Sequence, residues 1–269
     1  MQVLTDDGAR VAAVVNGRER RNAVVLIHGF PFSSTIFDMQ AEALDGEFCV
    51  VRPDLRGAGK SSATDGPYLM EALAADVALL LDALGIERAS VAGHSLGGYV
   101  ALAFARMFTE RVERLALVSS RLRADTPQEA QARWELADRV DTAHSIEPAV
   151  QAYLPRLLAV QTLKNREEIA EKAYEIARGN NFAGAAATLR GMALRAPSDD
   201  IAEDLEVPVL VVAGACDGVL PLEEAAGDAR RFPRAEFVVC ERSGHLAVME
   251  EPQRVSDALR SWLARAVSE

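Results

Sequence analysis

The sequence predicts an α/β fold, a mostly parallel sheet covered by helices on both faces and interrupted once by a helical insertion. Three observations carry this. Short runs rich in β-branched residues recur along the chain, helical stretches separate most of them, and between Arg121 and about Pro197 the strand signal gives way to helix starts. Apolar strands that alternate with helices need cover on both faces, which is the habit of parallel sheets.

The strand runs fall at 11–15, 24–27, 48–52, 89–92, 115–118, 207–213 and 236–239. The Asn16-Gly17 pair reads as a hairpin turn, so the first one or two strands are expected to be antiparallel. In the insertion, Thr126-Pro127-Gln128-Glu129 has the form of a capping box with proline at the first helical position. Asn165 with Glu168 three positions on reads as a second helix start, and Gly184-Ala185-Ala186-Ala187 suits close helix packing. The expected division is therefore a core of 1–120 with 198–269 and a helical cap over 121–197.

A chain of 269 residues lies near the upper limit for one hydrophobic core. Apolar residues at 49% and charged residues at 26% are a globular balance. The formal net charge is −11 and no run of Lys or Arg forms a basic stripe, so nucleic acid and anionic membrane have no electrostatic footing as partners. The start, MQVLTDDGAR, lacks a signal-peptide pattern, and no apolar run approaches the roughly 18 residues of a membrane span. A soluble cytoplasmic protein with a small-molecule substrate is expected. Cys49, Cys216 and Cys240 are odd in number and show no C-x-x-C spacing; each is expected to be a buried small hydrophobe, with no disulfide or zinc site.

Chemistry concentrates at Gly93-His94-Ser95-Leu96-Gly97, which runs from a strand through a tight turn into an apolar helix over 100–108. A nucleophilic serine must be lifted clear of the backbone, and the two glycines leave room for the strained turn that does so. The amides at the start of the following helix are unpaired and face the place where negative charge develops in acyl transfer, making Leu96 N–H one oxyanion donor. The loop after an earlier strand, His28-Gly29-Phe30-Pro31, supplies the other, Phe30 N–H.

Ser95 needs a base, and the chain has four histidines. His28 ends a strand and is expected to pack beneath the oxyanion loop. His94 adjoins Ser95 but points elsewhere in such a turn, and His144 falls in the insertion as a surface or cap residue. His245 is left, in a loop after the last apolar strand and at the same sheet edge as Ser95. Asp217 follows the penultimate strand, completing the chain order Ser, Asp, His. Asp54 and Asp125 are rival carboxylates. The segment from Asp54 to Ser61 does not match the spacing of a phosphate-binding loop.

These motifs resemble the α/β-hydrolase superfamily over nearly the whole chain, in its serine-nucleophile branch. The landmarks stand in order: His28-Gly29-Phe30, Asp54-Leu55-Arg56-Gly57, Gly93-His94-Ser95-Leu96-Gly97-Gly98, Asp217 and Gly244-His245. Ser243-Gly244-His245-Leu246 followed by Glu250-Glu251-Pro252, with Arg195-Ala196-Pro197-Ser198, is similar to small esterases and 3-oxoadipate enol-lactonase-like members. The resemblance implies the α/β-hydrolase fold: a mostly parallel eight-stranded sheet with helices on both faces and a helical cap after the sixth strand. It also implies hydrolysis of a small uncharged ester or lactone through an acyl-enzyme, with no cofactor and no metal. Serine at position 95 departs from the carboxylate nucleophile of haloalkane dehalogenases and epoxide hydrolases, and Leu246 departs from the aromatic of many C–C hydrolases. Cleavage of a diketone, cofactor-free haloperoxidase or perhydrolase activity, and, in a different class, a noncatalytic small-ligand receptor stay open as alternatives. Arg121 and Arg123 follow a strand end and could greet a substrate carboxylate, although solvated surface arginines are the simpler expectation.

Overall fold

The computed structural model describes residues 1–266; the last residues of the expected core segment 198–269, from 267 on, lie outside the described residues. Eight strands form one sheet: β1 (Gln2–Leu4), β2 (Arg10–Asn16), β3 (Ala23–Ile27), β4 (Cys49–Asp54), β5 (Ala89–His94), β6 (Val112–Val118), β7 (Val209–Gly214) and β8 (Ala235–Cys240). Their spatial order is β1-β2-β4-β3-β5-β6-β7-β8. β2 runs antiparallel to β1 and β4, and every other pairing is parallel. Strands β3, β4, β5 and β7 are buried at every position, as helices covering both faces require; β3 and β7 are apolar throughout, while β4 buries Arg52 and Asp54 and β5 buries Ser90 and His94.

The hairpin expected at Asn16-Gly17 does not form. The antiparallel direction is present, but β2 pairs with β4 and β1, and the chain leaving Asn16 crosses to β3 on the far side of β4. Burial decides this. β3 has no exposed residue and takes a central place between β4 and β5, whereas β2 has an exposed or half-exposed second half and stays toward the edge. β1 was not foreseen, being three residues long with both ends exposed.

The helices are α1 (Asp38–Leu44), α2 (Met70–Leu84), α3 (Leu96–Met107), α4 (Pro127–Ala143), α5 (Glu147–Leu157), α6 (Val160–Asn165), α7 (Glu167–Arg178), α8 (Phe182–Ala193), α9 (Asp199–Asp204), α10 (Leu222–Ala229), α11 (Ala247–Glu250) and α12 (Pro252–Leu263). α3 packs on β3, β5 and β6, while α12 packs on β7, β8 and α1. Helices α4 to α9 lie in the connection between β6 and β7. The capping box forms as read: Thr126 Oγ1 accepts from Glu129 N–H and the Glu129 carboxylate accepts from Thr126 N–H. Asn165 does not start a helix. It ends α6, and α7 begins after Arg166 with no side-chain cap. Cys49 and Cys240 are buried, but Cys216 is exposed because it lies in the loop after β7 and not on the strand. Among the described residues no helix is long and apolar enough to cross a membrane.

Parallel register sets the site. Ile27 pairs with Gly93, His94 with Val118, Val118 with Val212 and Gly214 with Cys240. The carboxyl ends of β3, β5, β7 and β8 are thereby level, and the loops that leave them are where α/β sheets gather ligands.

Candidate active site

Ser95 sits between β5 and α3 with φ 51° and ψ −114°, in the left-handed region that L-residues avoid. Such a conformation costs about 1–3 kcal/mol and persists only where its surroundings enforce it. Ser95 N–H donates to Val118 O at 2.9 Å, and its carbonyl accepts from Gly98 N–H at 2.8 Å and from the Ser120 hydroxyl at 2.9 Å. Close approach explains the glycines. A Cβ on Gly93 would lie 2.1 Å from Gly97 O, and one on Gly97 would lie 2.0 Å from Ile27 O.

His245 and Asp217 come together. His245 Nδ1–H donates to Asp217 Oδ2 at 2.7 Å, while Asp217 Oδ1 accepts from Val219 N–H at 2.7 Å and Leu220 N–H at 2.9 Å. Burial pushes the Asp217 carboxyl up, but the charge and hydrogen bond of His245 and the two amides outweigh it, leaving it below the ordinary carboxylate range. An ionised Asp217 keeps the His245 proton on Nδ1. Nε2 is then the free lone pair, buried and without a hydrogen-bond partner; no bond to Ser95 Oγ is formed.

The other histidines divide as expected in part. His28 is buried, donates from Nδ1 to Gly29 O at 3.0 Å and accepts Leu55 N–H on Nε2 at 3.0 Å, so it supports the loop bearing Phe30. His144 is exposed and caps the carboxyl end of α4. His94 does not simply point away: its Nε2–H donates to the His245 carbonyl at 2.8 Å and the two rings stand edge to face at 5.3 Å. Burial, aided by His245, pushes His94 down to about 3 from an ordinary 6.5. Below pH 6.5 the unfolded chain takes a proton that the folded chain refuses, so this contribution to stability is intact above 6.5 and is lost as pH falls toward 3. Urea midpoints are expected to drop across that window, and the slope should lessen by up to about 1.4 kcal/mol per pH unit in His94→Gln. An unchanged slope would count against a neutral buried His94.

Phe30 and Leu96, the two predicted oxyanion donors, make no backbone-amide hydrogen bond among the described residues. Both line a narrow cleft beside the Ser95 turn, with Leu55 from the core and Ile146, Ala185 and Thr188 from the segment between β6 and β7 completing much of its wall; Ser95, Asp217 and His245 do not line it themselves. Its one charged lining residue, Arg56, is spent on Asp76, at 2.5 and 2.8 Å, and on Asp7.

A family model described as the alpha/beta hydrolase fold matches residues 22–252. The chain belongs to the α/β-hydrolase family. It is 36% identical, over all of both chains and with a TM-score of 0.95, to a thermophilic esterase from Thermogutta terrifontis solved with malate bound. It is 32% identical over 251 residues, 91% of each chain, to the RutD protein of Caulobacter sp. (strain K31), which is named for carbamate hydrolysis. It is 27% identical over 250 residues, 93% of this chain and 91% of the other, to 3-oxoadipate enol-lactonase 2 of Acinetobacter baylyi.

The rival carboxylates are both taken. Asp54 accepts from Ser34 N–H and Lys60 N–H, each at 2.9 Å, and braces the loops after β3 and β4. Asp125 lies between Arg133 and Arg195, at 2.5 and 2.7 Å, inside the α/β-hydrolase cap seam. Arg121 and Arg123, expected to meet a substrate carboxylate or to lie solvated, are both held by carboxylates of the chain itself. Both pair with Glu129 and Glu224, and Arg121 is buried, donating to Val219 O at 2.6 Å beside the Asp217 loop. Asn180 was missed: its amide joins the cap to the core by donating to Pro31 O and accepting Gly59 N–H, each at 2.7 Å. Tyr153 was missed as well; it stands edge-on to Phe30 at 5.3 Å, with Arg133 donating to its hydroxyl at 2.7 Å.

Proposed function

We propose that this chain is a serine hydrolase cleaving small uncharged carboxylic esters or lactones through an acyl-enzyme, with Ser95 as nucleophile, His245 as base and Asp217 as orienting carboxylate. The observation that carries the reading is the unpartnered buried Nε2 of His245, its tautomer held by Asp217, in a ring that packs on the residue preceding the strained Ser95. Ser95 Oγ gives its proton to Nε2 and forms a bond to the carbonyl carbon. The oxyanion accepts from Phe30 and Leu96 N–H, two donors set in place before reaction. His245 then protonates the leaving alkoxide; a water deprotonated by the same nitrogen attacks the acyl carbon, and as the acyl–Oγ bond breaks His245 returns that proton to Ser95 Oγ and the acid leaves.

The cleft supports the substrate class. A charged acyl group would have to be buried against a wall whose one arginine is already paired, so an uncharged group is favoured. The cleft is narrow and its wall mainly apolar, with Phe30, Phe32, Leu55, Leu96 and Ile146 among the lining residues, which favours a short acyl chain over a fatty one. The helices after β6 act as the cap that closes this space. The named activities of the Thermogutta esterase and the Acinetobacter enol-lactonase agree with ester or lactone chemistry. A p-nitrophenyl panel is expected to give highest kcat/KM for acetate or butyrate and a steep fall by laurate. Inactivity on every ester and lactone, with turnover of a diketone, would move the reading to C–C cleavage.

A further inference from the structure

Glu250 takes no part in that chemistry, yet its carboxylate is among the most deeply buried charges of the chain, 1% exposed. Three donors converge on it. Gly244 N–H donates to Oε1 at 2.8 Å, while Ala159 N–H at 2.8 Å and the Thr162 hydroxyl at 2.6 Å donate to Oε2. Among the described residues no cation forms an ion pair with the carboxylate; the nearby Arg166 donates instead to the Glu250 carbonyl at 2.6 Å. Burying an ionised group on neutral donors alone is costly unless every lone pair is well used, and losing the acceptor leaves buried N–H groups unmet.

The three donors belong to two different parts of the molecule. Gly244 directly precedes His245, whereas Ala159 and Thr162 stand at the start of cap helix α6. The two segments touch closely along the same seam: Leu246 N–H donates to Leu157 O at 3.1 Å, and a Cβ on Gly244 would lie 2.6 Å from Ala159 N. The backbone around His245 is thus gripped on both sides, at Gly244 N–H by Glu250 and at the His245 carbonyl by His94.

We infer that Glu250 is a positioning residue, holding the Ser243–Gly244 peptide that leads into His245 and making the placement of the base depend on how α6 of the cap is seated. This rests on His245 being the base. With the Ser243–Gly244 peptide and the His245–Leu246 peptide both held, the side-chain torsions of His245 need only carry the ring to Asp217. With one flank released, the ring drifts relative to Ser95, and small misplacements of reacting groups are expensive in rate. Cap position and base alignment share one carboxylate, so a substrate that seats the cap also completes the alignment.

The test compares Glu250→Gln, Thr162→Val and Thr162→Ser in the full chain. Glutamine offers one acceptor oxygen to three donors and turns its NH₂ toward an N–H. In Glu250→Gln, kcat per phosphonylatable serine is expected to fall about ten- to hundredfold with little change in KM, and the rate of inactivation by a fluorophosphonate should fall in parallel. Thr162→Val, which keeps the shape and loses the hydroxyl, should fall in the same direction by a smaller factor, and Thr162→Ser should recover the loss. A purely structural Glu250 would lower the melting temperature and leave both rates per folded site unchanged. Folded Glu250→Gln with kcat within about twofold of wild type would overturn the inference, as would Thr162→Val that cannot be told from Thr162→Ser. If Glu250→Gln does not fold, the Thr162 pair decides. Failure of the serine reading shows separately, as undiminished turnover by Ser95→Ala.

Discussion

Ser95→Ala is expected to lower kcat for a p-nitrophenyl ester by about a million-fold, because nucleophile and base act as one unit and the loss of either removes nearly all of their joint effect. The residue left behind cannot form the acyl-enzyme, so its residual rate reflects binding and the oxyanion amides alone. Folding should be spared: alanine meets the same positive-φ cost as serine, and among the described residues no hydrogen bond to the Ser95 hydroxyl would be lost. The check is steady-state turnover beside a thermal melt. A folded alanine variant with a rate near wild type would remove Ser95 from the chemistry.

Asp217→Asn is expected to cost about ten-thousandfold in kcat with little change in melting temperature. The direction follows from the donors around the carboxylate. Val219 and Leu220 N–H claim one oxygen, so an asparagine must place its carbonyl there and aim its NH₂ at His245 Nδ1. Nδ1 must then accept, the proton moves to Nε2, and the nitrogen facing the serine becomes a donor. The amide has the size of the carboxylate, so packing is preserved while the base is lost. Equal activity in the asparagine variant would mean that the tautomer of His245 is irrelevant, and the triad reading would fail with it.

Much of the fold was legible because the interior strands are apolar on both faces and carry their signal locally. β3, β5 and β7 each stand within two residues of the runs read from sequence. β1 escaped because a three-residue edge strand with exposed ends has no such signal. The Asn16-Gly17 turn misled because a turn dipeptide speaks for its own backbone and not for which strands then pair, and in this sheet β4 intervenes. The α/β-hydrolase motifs brought Ser95, Asp217 and His245 to one edge of the sheet by their positions after β5, β7 and β8. What stayed hidden were groups acting over long separations in sequence. His94 meets the His245 carbonyl across 151 residues, and Glu250 meets Ala159 across 91. No local periodicity encodes such contacts, and a histidine beside a serine or a glutamate two positions before a proline looks ordinary until the loops are stacked. Arg121 was misjudged for the same reason: its partners, Glu129, Glu224 and Val219 O, come from either side of the cap.

The most direct test of the account treats the intact protein with a fluorophosphonate and locates the adduct by peptide mass spectrometry. One adduct is predicted, on the peptide bearing Ser95, formed quickly by wild type, slowly by Asp217→Asn and not at all by Ser95→Ala. Absence of an adduct on active wild-type enzyme, or labelling that persists at another residue in Ser95→Ala, would contradict the claim that Ser95 is the nucleophile.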